Sequence, residues 1–161
     1  SQLKLHNVFI DNNIGDVTKL TGTTVATIVK SYILPAGFFT SDCVFETDLT
    51  ISKIGTAGNI TIGFGIAPEA TTLPIHLVVT TAANRYINIG RKMTMIKNGL
   101  IVGFGNSGNF YSDKIANGNA LNKASTFDPT ISNTFNLSIQ LGVASDIALL
   151  ENLTIKVYKN A

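Results

Sequence analysis

The sequence predicts an all-β protein in which two antiparallel sheets pack face to face, a β-sandwich of the jelly-roll type. Apolar and polar residues alternate in many short segments, most regularly from Thr134 to Leu141 and from Leu153 to Tyr158. Turn residues recur about every ten residues, as between the strands of a sandwich. No ten-residue segment has the apolar spacing of an amphipathic helix. The nearest case is Ser145 to Leu153, where a short helical turn is the alternative to a strand.

Each predicted strand is a run with period-two alternation or β-branched and aromatic residues, bounded by turn residues. In chain order the nine runs are Leu3 to Ile10, Val25 to Leu34, Val44 to Ile54, Asn59 to Ala67, Ile75 to Thr80, Tyr86 to Lys97, Leu100 to Phe104, Thr134 to Leu141 and Leu153 to Tyr158. The sharpest turn signal is Asn98-Gly99, which predicts a hairpin with a type I′ turn.

Composition limits the class of protein. With 161 residues we expect a single domain, 1–161. Charged residues are only 14% of the chain against 45% hydrophobic residues, so the polar surface is carried by Thr, Asn and Ser, which fits a β-rich extracellular protein. So little charge beside open sheet edges favours a homo-oligomer. The net charge of +2, without basic runs, argues against nucleic acid, and no apolar run is long enough for membrane insertion.

Residues that bind metals or form disulfides are few. Cys43 is the only cysteine and lies in an apolar strand pattern, which predicts a buried thiol and excludes a disulfide within the chain. His6 and His76 have no Cys, His or carboxylate at ligand spacing, so we expect no metal and no cofactor. A trimer axis, at which one His from each subunit converges, is the exception that a single chain cannot test.

Candidate catalytic patterns fail on context. Gly103 to Gly108 spells GxGxxG, but a dinucleotide site needs a helix and a parallel strand after it, and neither is predicted. Glu46 and Asp48 could supply the two carboxylates of a glycosidase, yet they share one parity of a strand and most simply form a solvated face. No nucleophile motif is present either. We therefore predict a protein without enzymatic activity.

The long segment from Gly105 to Pro129 lacks periodicity and is the candidate contact region. Amides and aromatic side chains suit a sugar, which offers hydroxyls and an apolar face. Our predicted ligand-binding residues, which bring such side chains together in this one segment, are Asn106, Asn109, Phe110, Tyr111 and Asp113. The alternative is a crossover that only covers one open end of the sandwich.

Two parts of the chain carry a resemblance to a known class of proteins. One is Leu20 to Thr24 leading into Ile28 to Gly37, and the other is the ending from Ala144 to Tyr158. In rhythm and composition they resemble small β-sandwich domains of bacteriophage tail-fibre and other virion appendage proteins. The resemblance implies a homotrimer on a fibre tip or capsid that binds a host receptor or serves as a structural module. Because the sequence opens at Ser1 without Met, we expect processing or the C-terminal domain of a longer fibre protein.

These observations together predict a trimeric attachment module on the virion surface, which contacts other virion proteins and binds a cell-surface glycan. One alternative is a purely structural capsid, decoration or coat protein. Another is a carbohydrate-binding module of an enzyme, which would be monomeric.

Overall fold

The computed structural model describes residues 3–12, 18–38, 43–55, 58–74, 76–80, 85–97, 100–106, 120–126 and 128–160. These residues form eleven β-strands and, within those ranges, no helix. The strands are β1 (Leu3–Asn12), β2 (Thr18–Thr21), β3 (Thr27–Leu34), β4 (Val44–Ile54), β5 (Ile60–Ala67), β6 (His76–Thr80), β7 (Tyr86–Lys97), β8 (Leu100–Asn106), β9 (Ala120–Thr126), β10 (Asn133–Leu141) and β11 (Ile147–Asn160).

The strands form two antiparallel sheets that pack against each other. The larger sheet has seven strands in the order β1, β11, β4, β7, β8 and β9, with β2 also paired to β11. The smaller sheet has the order β3, β10, β5 and β6. The predicted β-sandwich is therefore confirmed, and each of the nine predicted strands corresponds to an observed strand.

The strand pairs nest inside one another along the chain. β1 and β2 pair with β11, β3 with β10, β4 with β7, and β5 with β6. β8 and β9 form an added hairpin at the edge of the larger sheet. The jelly-roll type stays a prediction, and this nested order favours it.

The core lies between the sheets. Its side chains alternate with more exposed ones along most of β4, whereas β10 is buried on both faces from Asn133 to Ile139. In β4 the side chains of Phe45, Leu49 and Ile51 are buried, and in β10 those of Phe135 and Leu137 face them. Burying each such side chain contributes about 1.5–3 kcal/mol to folding. Cys43 is also buried, as predicted.

A β-bulge explains why the alternating pattern of the sequence did not predict the first half of β11. The pairing of β11 with β4 skips one residue between Leu150 and Asn152, which leaves Glu151 as the extra residue. Buried positions are therefore even before the bulge, as at Ala148, and odd after it, as at Leu153. This change of parity removes the period-two signal across Glu151. The helical alternative for Ser145 to Leu153 is wrong, because only a turn closed by the Asp146 amide and the Val143 carbonyl, 3.1 Å apart, precedes the strand.

Two strands were absent from the prediction. β9 lies inside the segment predicted to be without periodicity, and β2 is only four residues long. β9 is at the end of the strand order and pairs with β8. Its sequence ALNKAST has a single large apolar residue, so it lacks the alternation of apolar and polar residues from which strands were predicted. Lys97 lies opposite Leu100, which confirms the hairpin of β7 and β8. Asn98-Gly99 lies outside the described residues, so the turn type stays a prediction.

Candidate functional site

The structure describes the predicted sugar-binding segment only where it joins β8 and β9. Asn106 is the last residue of β8 and lies opposite Ala120, the first of β9. β9 is the last strand in the order of the larger sheet. Asn109, Phe110, Tyr111 and Asp113 lie outside the described residues. Their assignment to a binding site stays a prediction, and only the backbone position of Asn106 is fixed.

The two carboxylates considered for catalysis lie on the outer face of the larger sheet. Asp48 is exposed and Glu46 half-buried, whereas Phe45 and Thr47, of the other parity, are buried. The prediction of a solvated face is confirmed. The hydroxyl of Tyr158 donates a hydrogen bond to Oε2 of Glu46 at 3.3 Å. Partial burial, followed by the negative charges of Glu46 and Asp48, raises the pKa of Tyr158 above its usual 10.0.

A buried ion pair joins the end of β4 to the β10–β11 connection. Nζ of Lys53 lies 3.4 Å from Oδ2 of Asp146, and both side chains are almost fully buried. Lys53 also donates to the carbonyl of Gly58, whose amide donates to Oδ2 of Asp146 at 3.2 Å. The ammonium of Lys53 and the carboxylate of Asp146 therefore both form hydrogen bonds with the backbone of Gly58. This arrangement ties the β4–β5 connection to the β10–β11 connection.

Glycines make room for this ion pair. A Cβ at Gly55, whose φ is +118°, would overlap the carboxylate of Asp146. A Cβ at Gly58 would lie 2.7 Å from the backbone nitrogen of Val143. Both side chains are almost inaccessible to solvent, with exposures of 0% for Lys53 and 4% for Asp146. We therefore assign Lys53 and Asp146 a structural role, and the sequence pattern did not single them out.

The outer face of the smaller sheet is covered by the β5–β6 connection. Nδ2 of Asn136 donates to the carbonyls of Glu69 and Thr72, each at 2.8 Å, and its Oδ1 accepts from the Ser31 hydroxyl at 2.7 Å. Asn136 is thereby buried in the middle of β10 with its amide satisfied on both sides. Beside this connection a shallow, open groove of about 490 Å³ is lined by Ala26, Thr27, Ile28, Ala70, Thr71 and Leu73.

Exposed apolar side chains lie at both ends of β3, which is an edge strand paired only with β10. Val25 and Leu73 are near the groove, while Ile33 and Ile131 lie at the other end. Ile33 is 73% exposed and Ile131 is 48% exposed. We call these four residues the apolar β3 surface. Edge strands with exposed apolar side chains are surfaces that a second chain can cover.

The residues predicted not to form metal or nucleotide sites are placed as follows. The described residues include no group of three or more His, Cys, Asp and Glu side chains that could hold a metal ion. His6 lies in β1 and His76 in β6, and their side chains are not described. The strands on either side of the GxGxxG segment, β8 and β9, are antiparallel, which is incompatible with the parallel unit of a dinucleotide site. In the described ranges, no helix is long and apolar enough to span a membrane.

Comparison with known proteins adds no relative. No protein-family model matches this chain, and no curated protein matches it in sequence. The resemblance to virion appendage domains therefore stays a hypothesis that rests on the sequence pattern.

Proposed function

We propose that this chain is a non-enzymatic attachment module of a phage-like virion, which assembles as a homotrimer and binds a host-surface glycan. The proposal rests on the resemblance of its sequence to virion appendage domains and on its β-sandwich fold. It places the chain outside cells, in contact with other virion proteins and without nucleic acid or membrane insertion. The physical logic is avidity, because several weak sites held on one rigid tip bind more strongly than one.

The observation that supports assembly most directly is the apolar β3 surface. Scattered exposed apolar residues are normal on soluble proteins. Here, however, Ile33 and Ile131 are adjacent to the free edge of one strand, and Val25 and Leu73 flank the groove at its other end. A second copy that covers this surface would bury all four side chains and the open edge together.

Light scattering at low and high salt tests the assembly. We expect a mass three times the 17.1 kDa of one chain, unchanged by salt because the contact is apolar. Ile33→Asp should shift the protein toward monomer. Ile54→Asp is the matched control, since Ile54 is also exposed, at 54%, but lies on the other sheet. A wild-type chain that stays monomeric at high concentration overturns the trimer proposal.

Glycan binding is tested separately from assembly. On an array of bacterial surface glycans, Tyr111→Ala should abolish binding of at least one glycan that the wild-type chain binds. If every glycan bound by the wild-type chain is still bound after the simultaneous replacement of Asn109, Phe110 and Tyr111 by Ala, their assignment as the site is overturned. Since these residues are not part of the apolar β3 surface, the same variants should keep the wild-type solution mass.

A purely structural capsid, decoration or coat protein is the second candidate function. The observation in its favour is that the groove beside β3 is shallow and open, without the enclosed pocket typical of a ligand site. This candidate predicts the same oligomer but no binding to any glycan on the array. A carbohydrate-binding module of an enzyme instead predicts a monomer that retains glycan binding.

A further inference from the structure

The outer face of the larger sheet presents an exposed aromatic ring beside polar groups that are already held in place. Ile87 and Ile89 of β7 are buried, so the residues of the other parity, Tyr86 and Asn88, point away from the core. Tyr86 is 82% exposed, the highest fraction among the exposed large hydrophobic side chains of the described residues. It lies opposite Ser52 of β4, in the first pair of the β4–β7 ladder.

The polar neighbours of Tyr86 are fixed by hydrogen bonds to one another. The Thr50 hydroxyl donates to Oδ1 of Asn88 at 2.8 Å, so the two N–H donors of the Asn88 amide are directed away from that bond. The Ser52 hydroxyl donates to Oε1 of Glu151 at 2.5 Å, which leaves Oε2 of that carboxylate as an acceptor. The bulge in β11 places Glu151 beside Ser52.

We propose that this surface, which we call the tyrosine platform (Tyr86, Asn88, Thr50, Ser52 and Glu151), is a binding site for an uncharged glycan. The apolar face of a sugar ring stacks on Tyr86. Its hydroxyls, which both donate and accept, bond to the Asn88 amide and the Glu151 carboxylate. Residues two apart on a strand are separated by about 7 Å, so the aromatic ring and the amide are spaced for adjacent parts of one short saccharide. Because the polar groups are held before binding, little side-chain entropy is lost.

The charged side chains on this face indicate which class of ligand the platform can bind. The described charged side chains on this face are Glu46, Asp48 and Glu151, against Lys19 and Lys156. The charge beside Tyr86 is negative, because Glu151 accepts a hydrogen bond from Ser52, the residue opposite Tyr86, and this charge disfavours anionic sugars. A protein partner is also disfavoured, because it would desolvate the Glu151 carboxylate, and charged groups are depleted at the centres of protein interfaces. The inference requires neither the segment around Tyr111 nor assembly through the apolar β3 surface.

Nuclear magnetic resonance of the ¹⁵N-labelled chain tests the platform. The probes are cellohexaose, maltohexaose and N-acetylchitohexaose, with hyaluronan hexasaccharide as the anionic comparison. We expect at least one of the three uncharged sugars to shift the side-chain amide of Asn88 and the backbone amides of Ser52 and Glu151, and hyaluronan to leave them unchanged. If none of the three uncharged sugars shifts these signals at millimolar concentration, the proposal is overturned.

Variants separate the platform from the other surfaces. Tyr86→Ala should weaken binding of the sugar that gives the largest shifts by roughly tenfold, whereas Tyr86→Phe should retain it, since the ring is kept. Tyr86 is exposed, so the spectra of both variants should otherwise match the wild type. Asp48→Ala, which removes an exposed side chain on the same sheet face but outside the platform, is the control and should leave binding of the uncharged sugar unchanged. If Tyr111→Ala removes sugar binding and Tyr86→Ala does not, the platform assignment is wrong and the hairpin segment is the site. If Tyr86→Ala changes only the solution mass, the platform is a subunit contact and the proposal also fails.

Discussion

Replacing Asp146 by Ala should be among the most destabilising single changes in this protein. The substitution leaves the Lys53 ammonium, whose side chain is fully buried, without its carboxylate, and it removes the acceptor for the Gly58 amide. Breaking a buried pair by removing one partner costs about 3–5 kcal/mol, mostly because the remaining charge is uncompensated. Since single domains are stable by only about 5–15 kcal/mol, we expect a visible loss of folded protein at room temperature.

Urea unfolding followed by circular dichroism measures this cost, and a double-mutant cycle assigns its origin. Lys53→Met replaces the ammonium by an apolar chain of similar length, so Lys53→Met together with Asp146→Ala should be more stable than Asp146→Ala alone. Asp48→Ala, at an exposed aspartate, should change stability by less than about 0.5 kcal/mol. A loss below about 1 kcal/mol for Asp146→Ala, or strictly additive effects in the cycle, would refute the argument from the buried charge.

Three further predictions concern turns and the core. Gly55→Ala should cost more than Gly22→Ala in urea unfolding, because both have positive φ but only at Gly55 would the new Cβ overlap a side chain, and equal costs would contradict this. Hydrogen bonds from the hydroxyl and then the amide of Thr130 lower the pKa of Asp128 below its usual 3.8. Its contribution is therefore present above about pH 4 and lost as the pH falls through the folded-state pKa, so Asp128→Asn should flatten the acid side of the stability profile, and an unchanged profile would exclude this role. Cys43 should react with a thiol reagent only at the rate of unfolding, and fast labelling of the folded chain would show that its burial is wrong.

The strands whose ends the sequence predicts best are those followed directly by turn residues. β4 and β7 were predicted with their observed ends, because Gly55 follows the first and Asn98-Gly99 the second. β11 was cut short, since the bulge at Glu151 shifts the buried positions by one residue and only the ladder with β4 reveals it. β9, an edge strand with few apolar residues, has no such signal.

The candidate site was less predictable than the fold. Composition pointed to the segment after Asn106, of which residues 107–119 lie outside the described residues, and the structure adds only that Asn106 pairs with Ala120. The exposure of Tyr86 could not be inferred, because a tyrosine at the start of a strand fits a buried and an exposed face equally well until the register is known. The bond between Ser52 and Glu151 likewise depends on a bulge that local sequence does not specify.

The pairing of β1 with β11 has a mechanical consequence. Leu3 lies opposite Asn160, so the chain enters and leaves the sandwich at the same corner. Tension applied between these two points would act across the ladder and open its hydrogen bonds one pair at a time, a weak geometry. Tension transmitted through only one of these two residues would not load the ladder between β1 and β11. A module with this topology therefore resists pulling best when it is attached to its neighbour at only one of the two strands.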